Sequence, residues 1–200
     1  MRGGSSIKLS EKRSLEKKKQ IILSAVKIVN RRGYEGATME EIAAELLMTK
    51  ASLYYYFRNK EDLLYQCHSL VLNQAIADIE ELLVQPLSVE EKFFQMVAMH
   101  INFAIEEKET FNMIFEPKNV FSQEQLDEVI ELRKQYSSLF NNLILKGIEE
   151  KEFRQADPYL LTMLILGALN WIQQWYQPNG RLSKEEIISH YQKDLLKILK

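Results

Sequence analysis

Apolar residues recur at helical spacing along most of the chain, and the first clear repeat lies between Gln20 and Arg32. Positions i, i+3, i+4 and i+7 of this repeat lie on one face of an amphipathic helix: Ile22, Ala25, Val26 and Val29. Gly33 follows Arg32 directly. The pattern predicts a helix over 20–32 that ends at Gly33.

Two short helices joined by a tight turn are predicted next. Thr38 with Glu41 three residues later forms the pattern of a capping box, so a helix of about two turns begins after Thr38. Thr49 can cap a further short helix that carries several hydroxyl groups. This arrangement is typical of a helix-turn-helix motif, whose second helix enters the major groove of DNA.

Capping and turn residues divide the rest of the chain into further helices. Asn59 begins a long helix that Pro86 closes, and the next helices begin at four capping pairs: Ser88 with Glu91, Ser122 with Gln125, Asp157 with Pro158, and Ser183 with Glu186. The helix after Asp157 is predicted to run to Tyr176, and a short segment lies at 111–115. About nine helices and no strand predict an all-α protein.

Composition agrees with a globular helical chain and excludes several classes of protein. The 200 residues are 46% hydrophobic and include only 7 Gly and 4 Pro, too few for a fold of many strands and turns. Cys67 is the single cysteine, which excludes an intrachain disulfide and suits a cytoplasmic protein. The uncharged stretch 158–180 contains Asn170 and Gln173, so a buried interface helix is expected there rather than a membrane span.

Charge is unevenly distributed between the two parts of the chain. Residues 1–60 contain 13 Lys or Arg and 6 Asp or Glu, whereas residues 61–200 contain 13 and 22. A basic first third is expected of a polyanion-binding module, although a solvated basic helix face is the alternative. The predicted organisation is a flexible basic tail over 1–14, a DNA-binding domain over 15–60 and a helical domain over 61–200.

Catalytic motifs are absent from the sequence. His68, His100 and His190 do not have the spacing of a zinc-binding HExxH motif, and no G-x-S-x-G, P-loop or GxGxxG string occurs. The chain is therefore predicted not to be an enzyme, and no metal site or tightly bound cofactor is expected.

Three strings near the N-terminus resemble the DNA-binding domain of the TetR family of bacterial transcriptional regulators. They are GYEGATMEEIA at 33–43, TKASLYYYF at 49–57 and NKEDLL at 59–64. The resemblance implies an N-terminal three-helix DNA-binding domain followed by a helical domain that binds a ligand and dimerises. Leu47 and Ala51 stand where many members of the family have glycine, so Leu47 lacks the residue type that a left-handed turn position favours.

The resemblance implies contacts with DNA for nine residues: Thr38, Thr49, Lys50, Ala51, Ser52, Tyr54, Tyr55, Tyr56 and Lys60. Lys50 and Ser52 would reach base edges from the start of the recognition helix, since lysine suits the O6 and N7 acceptors of guanine. The Ala51 methyl could contact a thymine methyl. The tyrosines would contact phosphate or sugar, although a run of aromatic residues can also be core, as is expected of Leu53 and Phe57.

The acidic second part is expected to dimerise, because in the TetR family the last two helices of each subunit form a four-helix interface. The matching apolar residues are Leu160, Leu164, Ala168, Ile188, Tyr191, Leu195 and Ile198. The alternative is that these helices form only the internal core of one chain.

A ligand site is predicted from a set of Met, aromatic and polar residues: Met96, His100, Phe103, Phe111, Phe115, Tyr136, Phe140, Asn170 and Trp171. Such residues suit an apolar pocket, although plain core is the alternative. Residues 170–187 also resemble regulators of fatty-acid and sterol degradation that respond to acyl-CoA thioesters.

Together these patterns predict a regulator, expected to be a repressor, that binds an inverted-repeat operator as a homodimer and is released by a small hydrophobic ligand such as a long-chain acyl-CoA. Two alternatives stay open. One is a drug-responsive regulator of an efflux pump, and the other is a helical ligand-binding protein that does not bind DNA.

Overall fold

The described part of the chain is all-helical. A computed structural model describes residues 9–108 and 121–200, in which eight helices of seven residues or more, one single-turn helix and no strand are found. The helices are α1 (Leu9–Gly36), α2 (Met39–Glu45), α3 (Lys50–Tyr56), α4 (Lys60–Leu83), α5 (Val89–Glu106), α6 (Gln123–Glu149), α7 (Pro158–Asn170), α8 (Ile172–Trp175) and α9 (Lys184–Leu199).

The helix starts predicted from capping residues are confirmed. Thr38, Ser88, Ser122 and Ser183 each form a capping box, in which the hydroxyl accepts the N–H three residues later. Asn59, Thr49 and Asp157 cap α4, α3 and α7 through their side-chain oxygens. These local signals therefore set where seven of the helices begin.

The structure differs from the predicted helix bounds at two places. α1 begins at Leu9 instead of near Gln20, within the segment expected to be a tail. The end predicted at Gly33 corresponds to a break in α1, since the φ of Gly33 is 74°, in the left-handed region, and the helical turn that follows runs to Gly36. The helix predicted over 158–176 is divided at Trp171. There the N–H of Gln174 donates to the Trp171 carbonyl only three residues earlier, a 3₁₀-type bond that interrupts the α-helical pattern. The predicted segment 111–115 lies outside the described residues.

Two hydrophobic cores form, one for each part of the chain. The N-terminal core joins the inner faces of α1, α2 and α3 to the first turns of α4, and Phe121 and Val129 complete it. The larger C-terminal core lies among α4 to α9, with Phe93, Met96 and Phe140 fully buried.

Helix α4 belongs to both cores. Leu63, Leu64 and Cys67 pack in the N-terminal core, whereas Ile76 and Ile79 pack in the C-terminal core. α4 also contacts α1, α5 and α6. α4 is therefore the continuous element that joins the two cores.

None of the described helices is long and apolar enough to cross a membrane.

Candidate functional site

The recognition helix α3 presents most of its predicted DNA-contact residues to solvent. Leu53 and Phe57 are buried, as expected, and fix α3 against the N-terminal core. Thr49, Lys50, Ala51 and Ser52 are exposed, and Tyr54 and Tyr55 are 43% and 78% exposed. Tyr56 is half-buried and packs edge-to-face on Tyr55, with 5.0 Å between the ring centroids. The helix therefore offers hydroxyls, aromatic rings and one ammonium on a single exposed surface.

Lys50 is paired with a carboxylate of α2. Its ammonium donates to Glu40, and this bond raises the pKa of Lys50 and lowers that of Glu40. Lys50 Nζ also lies 5.7 Å from the centroid of the Tyr54 ring, within reach of a cation–π contact. The ammonium has three N–H donors, so those that Glu40 does not accept remain for another acceptor.

The N-terminus of α2 is braced by the capping box and by α1. The Thr38 hydroxyl donates to Glu41 Oε2 at 2.8 Å, and the hydrogen bonds from Thr38 lower the pKa of Glu41. Arg32 bonds both Glu41 at 3.2 Å and Glu45 at 2.8 Å, so α1 holds α2 from the side. Thr38 is half-buried, and its hydroxyl already has a partner. Lys60, also half-buried, lies at the start of α4.

The turn between α2 and α3 is left-handed although it contains no glycine. Leu47 has a φ of 53°, and its side chain is 96% exposed. The turn is closed by backbone bonds from Leu47 N–H to Ala44 and from Met48 N–H to Ala43. The backbone thus keeps a geometry that favours glycine, at the cost of a strained leucine.

A cavity of about 440 Å³ lies where the N-terminal and C-terminal parts of the chain meet. Its first wall is α1, with Lys19, Leu23, Val26 and Lys27. The second wall is α4, with Leu70, Val71, Gln74, Ala75, Asp78 and Ile79. The remaining lining comes from α5 and α6, with Met99, Asn102, Phe103, Glu106, Glu107 and Tyr136. The cavity has an apolar centre and a charged rim, and its volume is in the range of small-molecule sites.

The structure brings only part of the predicted ligand set to this cavity. Phe103 and Tyr136 line it. Met96, His100 and Phe140 are buried in the C-terminal core, Asn170 is half-buried, and Trp171 is 63% exposed. Phe111 and Phe115 lie outside the described residues. Helical spacing identifies the inner face of a helix, but it does not say which inner residues border empty space.

A buried polar cluster adjoins the cavity through Tyr136. The Tyr136 hydroxyl lies 3.0 Å from His100 Nδ1, and Asn170 bonds the same imidazole. Burial lowers the pKa of His100 to about 4 and raises the pKa of Tyr136, so both groups are neutral at pH 7. Gln173, which sequence reasoning did not select, is also buried, and neither end of its amide has a partner among the described residues. Helical spacing gave no signal for it, because the helix is divided at Trp171, between Asn170 and Gln173.

Two glutamates at the end of α5 connect the parts of the molecule. Asn30 of α1 donates to Glu107, and burial raises the pKa of this carboxyl. Lys184 of α9 bonds the adjacent Glu106 at 2.7 Å. The end of α5 is thus tied to α1 on one side and to the last helix on the other.

An exposed apolar face covers α7 and α8. Leu160 and Leu164 are 64% and 54% exposed, and four further large apolar residues are exposed beside them: Tyr159, Met163, Trp171 and Trp175. Of the other residues expected at a subunit interface, Ala168, Ile188, Tyr191 and Ile198 are half-buried and Leu195 is buried in the core. A contiguous apolar surface of this kind is typical of a protein–protein interface.

The described residues contain no group of three or more metal-ligating side chains. Cys67 is buried, its thiol lies 3.7 Å from the Ile22 carbonyl, and burial raises its pKa far above the normal value. The thiolate form that reacts with oxidants or metals is therefore suppressed.

Comparison with known proteins matches both parts of the chain. Residues 21–67 match a family described as "Bacterial regulatory proteins, tetR family", and residues 86–199 match "Tetracyclin repressor-like, C-terminal domain". The chain is 24% identical over 155 residues to the fatty acid metabolism regulator protein of Bacillus subtilis, covering 76% of this chain and 78% of that one.

Solved structures are similar over nearly the whole chain. A TetR/AcrR-family transcriptional regulator from Thermobifida fusca is 26% identical with a TM-score of 0.79, covering 90% of this chain and 97% of that one. AibR, solved in complex with isovaleryl coenzyme A and operator DNA, is 26% identical with a TM-score of 0.71, covering 88% and 96%.

Proposed function

The chain belongs to the TetR family of bacterial regulatory proteins, and we propose that it is a repressor that binds an inverted-repeat operator as a homodimer and is released by an amphipathic acyl ligand. The observation that supports DNA recognition most directly is the exposed surface of α3, where Lys50, Ser52 and Tyr55 lie on a helix held by a buried Leu53. A basic N-terminal part beside an acidic C-terminal part favours the same assignment, with the protein acting in the cytoplasm.

The symmetry of the proposed dimer predicts the inverted repeat of the operator. Two copies joined through the apolar face of α7 and α8 are related by a two-fold axis, because a face that pairs with itself forms an isologous contact. The two recognition helices then read half-sites of opposite orientation, about one helical turn apart.

The cavity between α1, α4 and α5 supports an effector with a long apolar body. Its centre is lined by aliphatic and aromatic side chains such as Val71, Met99 and Phe103. If a methylene group takes about as much space as one liquid-water molecule, ~30 Å³, the cavity holds about fifteen. A whole acyl-CoA exceeds this volume, so only the acyl chain would be enclosed and the nucleotide would stay at the rim.

The rim carries charges of both signs, with the basic groups on α1. Asp78, Glu106 and Glu107 are acidic, and Glu106 is paired with Lys184, whereas no described carboxylate forms an ion pair with Lys19 or Lys27. The two lysines of α1 could therefore bind a carboxylate or phosphate. An acyl-CoA effector also agrees with the isovaleryl coenzyme A bound in the AibR structure.

Ligand binding would change DNA binding through α1 and α4, which form two walls of the cavity. Filling it separates α1 from α5, strains the Asn30–Glu107 bond and shifts α4, whose first turns support α3. The ligand must bind the DNA-incompetent arrangement more tightly, since equal affinity for both states shifts nothing. A tenfold loss of operator affinity requires a coupling free energy of ~1.4 kcal/mol.

DNA binding is tested by fluorescence anisotropy with the DNA upstream of the protein's own gene and with random DNA, at several salt concentrations. Preference for one sequence that persists as salt rises is expected of the regulator. Equal binding of both duplexes would instead favour a helical ligand-binding protein that does not recognise an operator.

The effector is tested by titrating acyl-CoAs of increasing chain length into the preformed complex, with free CoA as the control. Release is expected for chains that fill the cavity, and Lys19→Gln/Lys27→Gln should weaken ligand binding measured without DNA. The carboxylates of Asp78, Glu106 and Glu107 favour one competing candidate, a lipophilic cation. Release by such a cation, and not by acyl-CoA, would identify a drug-responsive regulator.

A further inference from the structure

The N-terminal part of α1 extends well beyond the core of the DNA-binding helices. α1 begins at Leu9, but among its described side chains the first in the N-terminal core is Ile21. Residues 9–20 form about three helical turns, roughly 18 Å long, and none of the described side chains over 13–20 belongs to that core. Arg13, Lys17 and Lys19 are exposed on this extension.

The extension carries a net positive charge. Residues 9–20 contain five lysines or arginines and two glutamates. Arg13 and Lys17, four residues apart on the helix, repel each other. No described carboxylate forms an ion pair with Arg13 or Lys17. A polyanion bound nearby would offset this repulsion.

The extension is continuous with the surface of the recognition helix. Lys18 Nζ lies 5.5 Å from the centroid of the Phe57 ring, at the C-terminal end of α3. Lys18 also lines a surface hollow together with Tyr54, Tyr55 and Arg58, and the same hollow contains the carboxylates of Asp62, Glu124 and Glu128. The α1 residues before Lys18 therefore continue past the end of α3, beyond the surface that the helix-turn-helix motif presents to DNA.

We propose that the N-terminal extension of α1 is a second DNA-binding surface, in which Arg13 and Lys17 bind backbone phosphates of the duplex flanking the operator repeat. This inference rests on the proposed function, because it extends the DNA contact of α3. The segment from Leu9 to Lys18 spans ~14 Å of helix, which corresponds to about four base pairs at 3.4 Å each. Phosphate contacts of this kind add affinity and position the protein without reading sequence.

The test compares a duplex that ends at the repeat with one that carries six further base pairs of arbitrary sequence on each side. The repeat is taken from DNA selected by the protein from a random library. The wild-type protein should bind the longer duplex about tenfold more tightly, and Arg13→Gln/Lys17→Gln should lose this gain while its affinity for the shorter duplex is kept. The salt dependence of log K on the longer duplex should fall by about 0.9 for each phosphate that the variant no longer neutralises.

Lys146→Gln/Lys193→Gln is the matched control, since it removes two exposed positive charges from the C-terminal part and should keep the gain. Hydroxyl-radical footprinting should show flanking protection with the wild type and none with Arg13→Gln/Lys17→Gln. Equal wild-type affinity for both duplexes, or an equal loss in the control variant, overturns this inference alone. Binding of neither duplex overturns the proposed function and this inference with it.

Discussion

Leu47 is the residue at which sequence and backbone conflict most clearly. Its φ of 53° costs an L-residue ~1–2 kcal/mol, whereas glycine adopts it freely but loses ~0.5–1 kcal/mol more chain entropy on folding. Leu47→Gly should therefore raise the free energy of unfolding by up to about 1 kcal/mol, measured by urea denaturation. Leu47→Ala keeps the Cβ and should give no such gain. Equal stabilisation by both variants would assign the effect to the exposed leucine side chain instead of the backbone.

His100 should make stability depend on pH below neutrality. Burial lowers its pKa to about 4, while the unfolded chain takes up the proton near pH 6.5. Between these values the unfolded state binds more protons, so the free energy of unfolding falls as pH falls, by up to ~1.4 kcal/mol per pH unit. Thermal unfolding from pH 6.5 to 4.5 measures this slope.

His100→Gln should flatten that dependence, whereas His190→Gln, on an exposed side chain, should leave it unchanged. The argument fails if the slope survives in His100→Gln, since other groups would then be responsible for it.

At the scale of single elements, substitutions in the recognition helix should distinguish contacts with bases from contacts with phosphates. Lys50→Ala should cost ~1–3 kcal/mol and relax preference at one operator position, whereas loss of the Tyr54 hydroxyl in Tyr54→Phe should weaken all sequences alike. Competition with operators substituted at single bases distinguishes the two. Equal, sequence-independent losses in Lys50→Ala and Tyr54→Phe would show that Lys50 does not read a base.

Glu40→Gln should strengthen DNA binding, because it releases Lys50 and removes a carboxylate near the phosphates.

Helix starts could be predicted from the sequence because capping is local chemistry. Thr38 and Glu41 satisfy each other within one turn, and no distant residue is needed to form the box. The N-terminal limit of α1 could not be predicted this way, since residues 9–20 have no apolar stripe and no cap to mark their start. The break at Trp171 was missed for a related reason. The apolar pattern continues through it, and only the backbone bonds show the change.

At the scale of the whole molecule, helical periodicity could not predict which inner residues border the cavity. Met96 and Phe103 both lie on α5, and the apolar pattern predicts both on its inner face. Met96 is nevertheless enclosed in the core, whereas Phe103 borders the cavity. The difference depends on how α1 meets α4 and α5, which is a property of packing between distant segments. Leu23 and Lys27 of α1 also line the cavity. Sequence reasoning did not select them as ligand residues, because they lie in the segment that was predicted to bind DNA.

The dimer is the feature of the whole molecule that is most open to test. Leu164 is 54% exposed in the protomer, so Leu164→Glu should keep the fold and abolish association, because dimerisation would desolvate the charge. Leu195 is 5% exposed and packs in the C-terminal core, so Leu195→Glu should unfold the protein instead. Light scattering and circular dichroism together distinguish the two outcomes. Folded Leu164→Glu monomers should also lose most operator affinity, since each would engage only one half-site. A folded wild-type monomer at micromolar concentration would contradict this account, and so would a Leu164→Glu protein that stays dimeric.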